Sequence, residues 1–422
     1  MPRHLALVLF LCPALASAQA EAPVRNLREA YLAALENSDA VGISEASILQ
    51  AEALYRAALG GSFPELTARH QSDLQDRRVG GSQLGGSKRL QNEGMLRLSR
   101  SGLTGYRELA AIRAGKTTVS QRGHERRRAE QLLLADVAAA YYGLIQSAEN
   151  AATTAQLLEF ADKRLAEIKD RVRVGRAREA DALAQEVQSQ ALRSQLEESR
   201  RQVQARSDLL AFLVRAPVTP VSPSTGTLAD PPPLEGYLER IESRPDVAAA
   251  RDAAKAAELG VDIARAAYFP EVGLQANYYG YRPPARASNR WDASATVSVP
   301  LFSFGANRAE NASARAAFER ESLALRAARR AAELDARNAH RDYASAARQL
   351  EIQRKSGDLA RRDYRLQAAD ERRGLVTSIE VLQSLDRLNI SGLAFNDVLV
   401  QARLAAIALE TAAGAAPEEI LK

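Results

Sequence analysis

Cysteine is almost missing from this chain. The only one among 422 residues, Cys12, lies in an apolar stretch from Leu5 to Leu15. Arg3 precedes that stretch, and Ala16, Ala18 and Ala20 follow it, which is the pattern of a secretory signal peptide over residues 1–20. Cys12 is followed by Pro13, without the Leu-Ala-Gly-Cys context of a lipid-anchored product. The mature chain is therefore expected to hold no cysteine, which excludes disulfides and thiolate metal sites. Histidine is nearly as scarce. His4 falls in the signal, and His70, His124 and His340 are far apart, so no metal or catalytic cluster is expected. Glycine-rich phosphate loops, GxSxG and HExxH are all missing. These absences point away from an enzyme and from a bound cofactor. Past the signal, no uninterrupted apolar run reaches about 18 residues, which argues against a membrane-spanning helix and leaves a membrane barrel open. Charge of one sign is not in excess either. The balance of 57 Lys+Arg against 52 Asp+Glu suits mixed charges solvating long helices, and an exported chain with so weak a bias is expected to bind no nucleic acid.

Proline is the most informative absence. None occurs from Glu65 to Ala216 or from Leu301 to Ala416. Proline removes a backbone donor and clashes with the preceding turn, so such windows are where very long helices can run. A helix from about Gly305 to Arg372 would be nearly 70 residues, roughly 100 Å at 1.5 Å per residue. Between the windows, APVTPVSPSTGTLADPPPLEG, starting at Ala216, cannot be regular structure for long.

The chain also repeats itself. Phe63-Pro64-Glu65 recurs as Phe269-Pro270-Glu271, 206 residues on, and at the same offset Tyr31, Glu36, Val41 and Ala51 match Tyr237, Glu242, Val247 and Ala257. RVGRAREADAL from Arg173 matches RRGLVTSIEVL from Arg372 at an offset of 199, pairing Gly175 with Gly374. Each half thus reads helix, extended hairpin, long helix, glycine turn, long helix. The expected organisation is a first repeat over 25–215 with its hairpin at about 64–101, and a proline-rich connector over 216–233. A second repeat over 234–414 follows, with its hairpin at about 270–301, and a tail over 415–422. In the second hairpin Val272, Leu274, Ala276 and Tyr278 alternate with Gly273, Gln275, Asn277 and Tyr279. Trp291 to Val299 alternates likewise, each run about the length of a tilted transmembrane strand. Tyr278, Tyr279, Tyr281 and Trp291 cluster at the base of a polar loop, where an interfacial aromatic girdle would lie. The first hairpin is poorer, with Arg69, His70, Arg97 and Arg100 breaking the alternation, and only the duplication marks it as strands. From Val381, unbroken spacing of four and three through Leu385, Leu388, Phe395, Leu399 and Leu409 makes a coiled-coil seam.

With duplicated halves, FPEV before a hairpin, VPLFSFGANR after it and RRGLVTSIEVL at a helical turn, the chain resembles the TolC family of outer membrane efflux proteins over about Leu27 to Gly414. The resemblance implies a mainly α fold with a β-barrel portion. In it, a homotrimer gives four strands per chain to one shared twelve-stranded barrel, continuing into a coiled-coil tunnel. It implies the outer membrane of a Gram-negative bacterium, with a large periplasmic part. The implied function is a passive exit duct of a tripartite efflux or type I secretion system. Its implied partners are outer membrane lipid, a periplasmic adaptor (membrane fusion) protein and an inner membrane pump of RND or ABC type. Phe63, Pro64, Phe269 and Pro270 would mark helix-to-barrel junctions, and Pro300 the return. Gly175, Arg176, Gly374, Leu375 and Val376 would form adaptor-docking tips. Where family members place two acidic residues three apart at the periplasmic entrance, this chain has Glu380 and Gln383, with Asp181 the acidic match in the first half. The return of the first half departs from the family, reading SRSGLTGYR in place of a Pro-Leu-Phe segment. A soluble periplasmic coiled-coil scaffold or adaptor is the alternative from another class, and it leaves the one-sided run WDASATVSV unexplained.

Overall fold

The computed structural model of the chain describes residues 26–74, 90–104, 106–216, 231–282 and 289–421. The signal peptide reading, Cys12 and most of the 216–233 connector lie outside the described residues. The elements run α1 (Leu27–Asn37), α2 (Asp39–Gly60), β1 (Glu65–Leu74), β2 (Leu90–Leu103), α3 (Tyr106–Arg173) and α4 (Glu179–Val214). They continue through α5 (Leu234–Glu239), α6 (Pro245–Arg265), β3 (Glu271–Tyr281), β4 (Trp291–Ser298), α7 (Ala306–Arg372), α8 (Ser378–Ala412) and the short α9 (Pro417–Ile420). The two longest helices, α3 at 68 residues and α7 at 67, fall inside the two proline-free windows.

Two compact units divide the chain. The first joins residues up to Asn37 with Val137–Thr225, and so holds α1, the later part of α3 and α4. Its core is built on Leu144, Leu157, Ala161, Leu192 and Leu210, all buried. Asn37 fixes α1 by donating from Nδ2 to the Val214 carbonyl at 3.3 Å. Gln185, fully buried on α4, donates to the Ala161 carbonyl of α3 at 3.2 Å. A buried polar group in a helix seam costs free energy unless it is bonded, and it fixes which residues face each other.

The second unit, Ser38–Asp136 with Gly226–Lys422, holds the remaining elements. Leu350 of α7 packs with Val398, Leu399 and Ala402 of α8, and Ile241 and Val247 pack with Ala332 and Ala336 of α7. The α8 seam is wider than its spacing suggests, because Ser384, Asn396 and Val400 are buried as well as Val381, Leu385 and Leu399. This explains why α8, interrupted by charges, is nonetheless long and apolar enough by composition to cross a membrane. Its apolar side chains are covered by helices. Tyr237 closes one cluster with Tyr343 and Leu409, and its hydroxyl donates to Glu410 at 3.3 Å. Burial, then the Glu410 carboxylate, push that phenol up to about 12, so it remains a neutral donor.

Arg244 is the anchor of this unit at 2% exposure. Its guanidinium donates to Asp246 and Asp335, both at 2.9 Å, and to the Ala412 carbonyl at 3.4 Å. Gly414, at φ +85°, lies so close that a Cβ there would come within 3.0 Å of the Arg244 Cα. The two acids keep 32% and 52% of their side-chain surface exposed, against 3% for the arginine. Removing both acids strands a buried charge. Asp246→Ala with Asp335→Ala is therefore expected to cost about 3–5 kcal/mol. Arg244→Met, which leaves carboxylates that can hydrate, should cost less. Thermal melting of the two variants in detergent checks the order, and equal losses would mean that packing around Arg244, not its charge, carries the contribution.

Candidate functional site

The four strands form one antiparallel sheet in the order β1-β2-β3-β4. Directly opposed residues share a face, so the register sorts the sheet into two sides. On one, Leu66 faces Leu98, Leu98 faces Ala276 and Ala276 faces Ala293; the next row is Ala68, Leu96, Tyr278 and Trp291. The other side carries Thr67, Arg97, Asn277 and Asp292 in one row. Arg97 Nε donates to Asn277 Oδ1 at 3.0 Å, and Asn277 Nδ2 donates to Asp292 Oδ1 at 2.9 Å. Asn277 is only 5% exposed, whereas Leu66 and Val297 on the apolar side are exposed. The sheet has buried its polar side chains in a network and left its apolar ones outside, the reverse of a protein that meets water.

The first hairpin pairs fully despite its poor alternation. Arg97 sits on the polar side. Arg100 stands opposite Leu274 on the apolar side, but its guanidinium donates to the Gly61 carbonyl at the end of α2 and lies 3.7 Å from Glu108 in the first turn of α3. A register shift between Arg100 and Leu103, with Gly102 at φ +69°, bends β2 where the sequence departs from a Pro-Leu-Phe return.

A second shift corrects the aromatic reading. Met95 pairs with Tyr279 but Gly94 pairs with Tyr281, so Gly280 is an extra residue in β3. It brings Tyr281 onto the apolar side with Tyr278 and Trp291. Tyr279 does not belong to that group. Its ring lies under the Arg282 guanidinium at 4.0 Å and its hydroxyl bonds Asp292 on the polar side.

At the helical end of the sheet, Phe63 and Pro64 stand between α2 and β1. Phe269 and Pro270 stand between a short 3-10 turn (Ala266–Tyr268) after α6 and β3. Pro300 follows β4. Past it, Leu301 and Phe304 are each 92% exposed, and the Phe302 and Phe304 rings meet edge to face at 4.6 Å. Together with Phe63, Tyr268 and Phe269 these make a second apolar band. The sequence reading singled out Pro300 there and passed over Leu301, Phe302 and Phe304, although PLFSF itself was the signal: an aromatic cluster at a strand end.

The helical turns lie at the other end of the long helices and are closed in the same way. Gly175 and Gly374 have φ of +74° and +77°. In each, the glycine N–H and the next residue's N–H return to the last helical turn: Gly175 to Val172 and Arg176 to Arg171, Gly374 to Glu371 and Leu375 to Asp370. This is the Schellman pattern, which satisfies the orphan carbonyls of a helix end. The following helix starts differ. Thr377 caps α8 and Glu380 closes a capping box, accepting from the Thr377 N–H at 2.6 Å and its hydroxyl at 2.8 Å. Those bonds, the backbone one first, hold the Glu380 carboxyl below the usual carboxylate range. In α4 the matching pair is Arg178 and Asp181, bonded at 2.9 and 3.2 Å. The capping box was missed in the sequence, though T-x-x-E at Thr377 is its signature. Gln383 and Leu375 are exposed, Leu375 at 70%. Val376 lies beside Leu375 in the same turn.

Comparison with known proteins follows from this geometry. Residues 237–415 match the sequence profile of the family described as outer membrane efflux protein. OpmQ of Pseudomonas aeruginosa, a pyoverdine export outer membrane protein, is 26% identical over 386 residues, spanning 88% of this chain and 80% of that protein. The chain belongs to the outer membrane efflux protein family. Protein CyaE of Bordetella pertussis is 28% identical over 248 residues, which span 56% of this chain and about half, 52%, of that protein. The outer membrane protein VceC of Vibrio cholerae superposes with a TM-score of 0.78 at 19% identity, over 92% of this chain and 96% of that one, which establishes the fold. As an outer membrane efflux protein the chain resides in the outer membrane, and its family and fold are those of transport proteins.

Proposed function

We propose that three copies of this chain close one twelve-stranded barrel and form a passive exit duct across the outer membrane and periplasm. One observation carries the reading: a two-faced sheet of four strands whose outer edges, β1 and β4, have no strand partner among the described residues. Unpaired backbone groups in lipid cost several kcal/mol each, at an order of magnitude, so a membrane sheet has to close. Four strands are too few, since bacterial barrels begin at eight. Three copies of four supply closure, with the apolar side toward lipid and the Arg97–Asn277–Asp292 network toward the lumen.

Cargo would arrive from an inner membrane pump of RND or ABC type through a periplasmic adaptor that meets the turns at Gly175, Arg176, Gly374, Leu375 and Val376. OpmQ is described as exporting pyoverdine, which favours a small secreted molecule as cargo. Native mass spectrometry of the detergent-solubilised protein tests the assembly. Three chains per particle are expected, and a detergent-independent monomer in the soluble periplasmic fraction would favour the scaffold.

Glu380 is the candidate for an acidic entrance ring, because its carboxylate is exposed and Asp181 is already offset by Arg178. Glutamine also serves in a capping box, so Glu380→Gln removes the charge and keeps the helix start. In planar bilayers this variant should lose cation preference and block by trivalent cations, while Gln383→Asp should strengthen both. The lowered carboxyl sets the pH window. The charge and its cap persist through neutral pH and are lost only as pH falls below the ordinary glutamate value of about 4.3. Unchanged conduction in Glu380→Gln would move the ring to other residues.

A further inference from the structure

The apolar side of the sheet carries a hollow at its outward end, the end remote from the helices. One row past Ala68, Leu96 and Tyr278, His70 on β1 stands opposite Gly94 on β2, and Gly94 stands opposite Tyr281 on β3. Gly94 and Gly280 leave bare backbone there, so the floor is low, and a Cβ on Gly94 would meet nothing within 4 Å. The result is a hollow of about 460 Å³ lined by His70, Gly94, Leu96, Tyr278, Gly280 and Tyr281, among others. His70 Nε2 lies 3.1 Å from the Ser72 hydroxyl, and both side chains are exposed.

We propose that this hollow seats the sugar headgroup of a glycolipid in the outward leaflet, with its acyl chains lying along Leu96, Leu98 and Leu274. The inference rests on the reading of this sheet as membrane strands. Depth supports it: the hollow is two residues, roughly 7 Å along a strand, beyond the Tyr278–Trp291 row where apolar side chains give way to interfacial aromatics. Its position within β1, β2 and β3 matters too, because the floor is complete in one chain and a second copy at either edge does not fill it. The chemistry selects a sugar. Tyrosine rings offer flat apolar faces for sugar C–H groups and a polar tip for hydroxyls, and His70 and Ser72 add donors and acceptors. A headgroup chosen for its phosphate would look for a fixed cation, and the neighbouring Arg69 points to the opposite face because strand side chains alternate. The extra residue Gly280 is what turns Tyr281 into the hollow, and without that bulge the ring would fall on the polar side.

The test uses the full protein solubilised in mild detergent and mixed with phosphatidylethanolamine vesicles. These hold one of three probes: an acylated phosphorylated diglucosamine, its dephosphorylated form, or phosphatidylglycerol. Native mass spectrometry counts retained lipid per chain. Trp291, the only tryptophan in the sequence, reports occupancy by its emission from the row beneath. Both glycolipids should be retained and phosphatidylglycerol lost. His70→Ala with Tyr281→Ala should cut retention roughly tenfold, the equivalent of about 1.4 kcal/mol. Gly94→Leu, which fills the hollow from an open backbone position, should do the same with assembly intact. Retention of phosphorylated lipids alone, retention of no lipid, or unchanged retention in the variants would each overturn the proposal. Fractionation keeps the two readings apart. Protein that pellets with the outer membrane yet holds no glycolipid sinks this inference only, whereas protein recovered without detergent sinks the membrane reading beneath it.

Discussion

Arginine in place of Ala276 is expected to keep the chain out of the outer membrane, whereas arginine in place of Gln275, one residue earlier, should leave insertion intact. Ala276 faces Leu98 on one side and Ala293 on the other, between the phenylalanine band at the helical end and the row of Tyr278 and Trp291. That is the middle of the apolar side. A charged residue on the lipid face near mid-depth costs about 2–4 kcal/mol, so three copies in one barrel would lose roughly 6–12. Gln275 faces Ser99 and Ser294 and donates to Asn277 Oδ1 at 3.3 Å. A guanidinium there meets a polar wall and water. Outer membrane fractionation with a trimer assay on unheated gels reads both variants together. Equal behaviour of the pair would mean that the sheet does not sit in lipid.

The second large effect is expected at the α7–α8 turn. Gly374→Glu with Leu375→Glu should abolish export while trimers still assemble. Gly374 is held at φ +77°, where a side chain with a Cβ costs roughly 1–2 kcal/mol. Leu375 donates its N–H to the Asp370 carbonyl and points its side chain into solvent. An exposed leucine next to a turn with no helix core to fill suits contact with a partner. Gly374→Asn separates the two contributions, since asparagine tolerates the left-handed conformation. It should retain export, with Leu375 in place. Full export by the double glutamate variant would remove this turn from the docking surface.

Much of the architecture was legible because its causes are local. Long helices need uninterrupted donors, and the proline-free windows declare them. The second hairpin alternates cleanly because the Tyr278 side and the Asn277 side meet different surroundings. The first hairpin resists the same reading because its arginines are satisfied far away in sequence: Arg97 by Asn277, Arg100 by Gly61 and Glu108. Period-two counting also assumes that no residue is extra, so the bulge at Gly280 put Tyr281 on the wrong side and grouped it with Tyr279. The α8 start was misjudged in a different manner. Glu380 was weighed for where its charge might point, and its bond to Thr377, three residues back, went unread.

The turns at Gly175 and Gly374 share a backbone and differ in everything they display. One offers Arg176, Ala177 and Arg178; the other offers Leu375, Val376 and Thr377. Three copies therefore carry six sockets of equal shape in two chemical grades, cationic and apolar. A binding partner that occupies three sockets can choose one grade and ignore the other. One that occupies six has to accept both, so its stoichiometry should rise in two steps as its concentration increases, with salt weakening only the step that fills the arginine sockets.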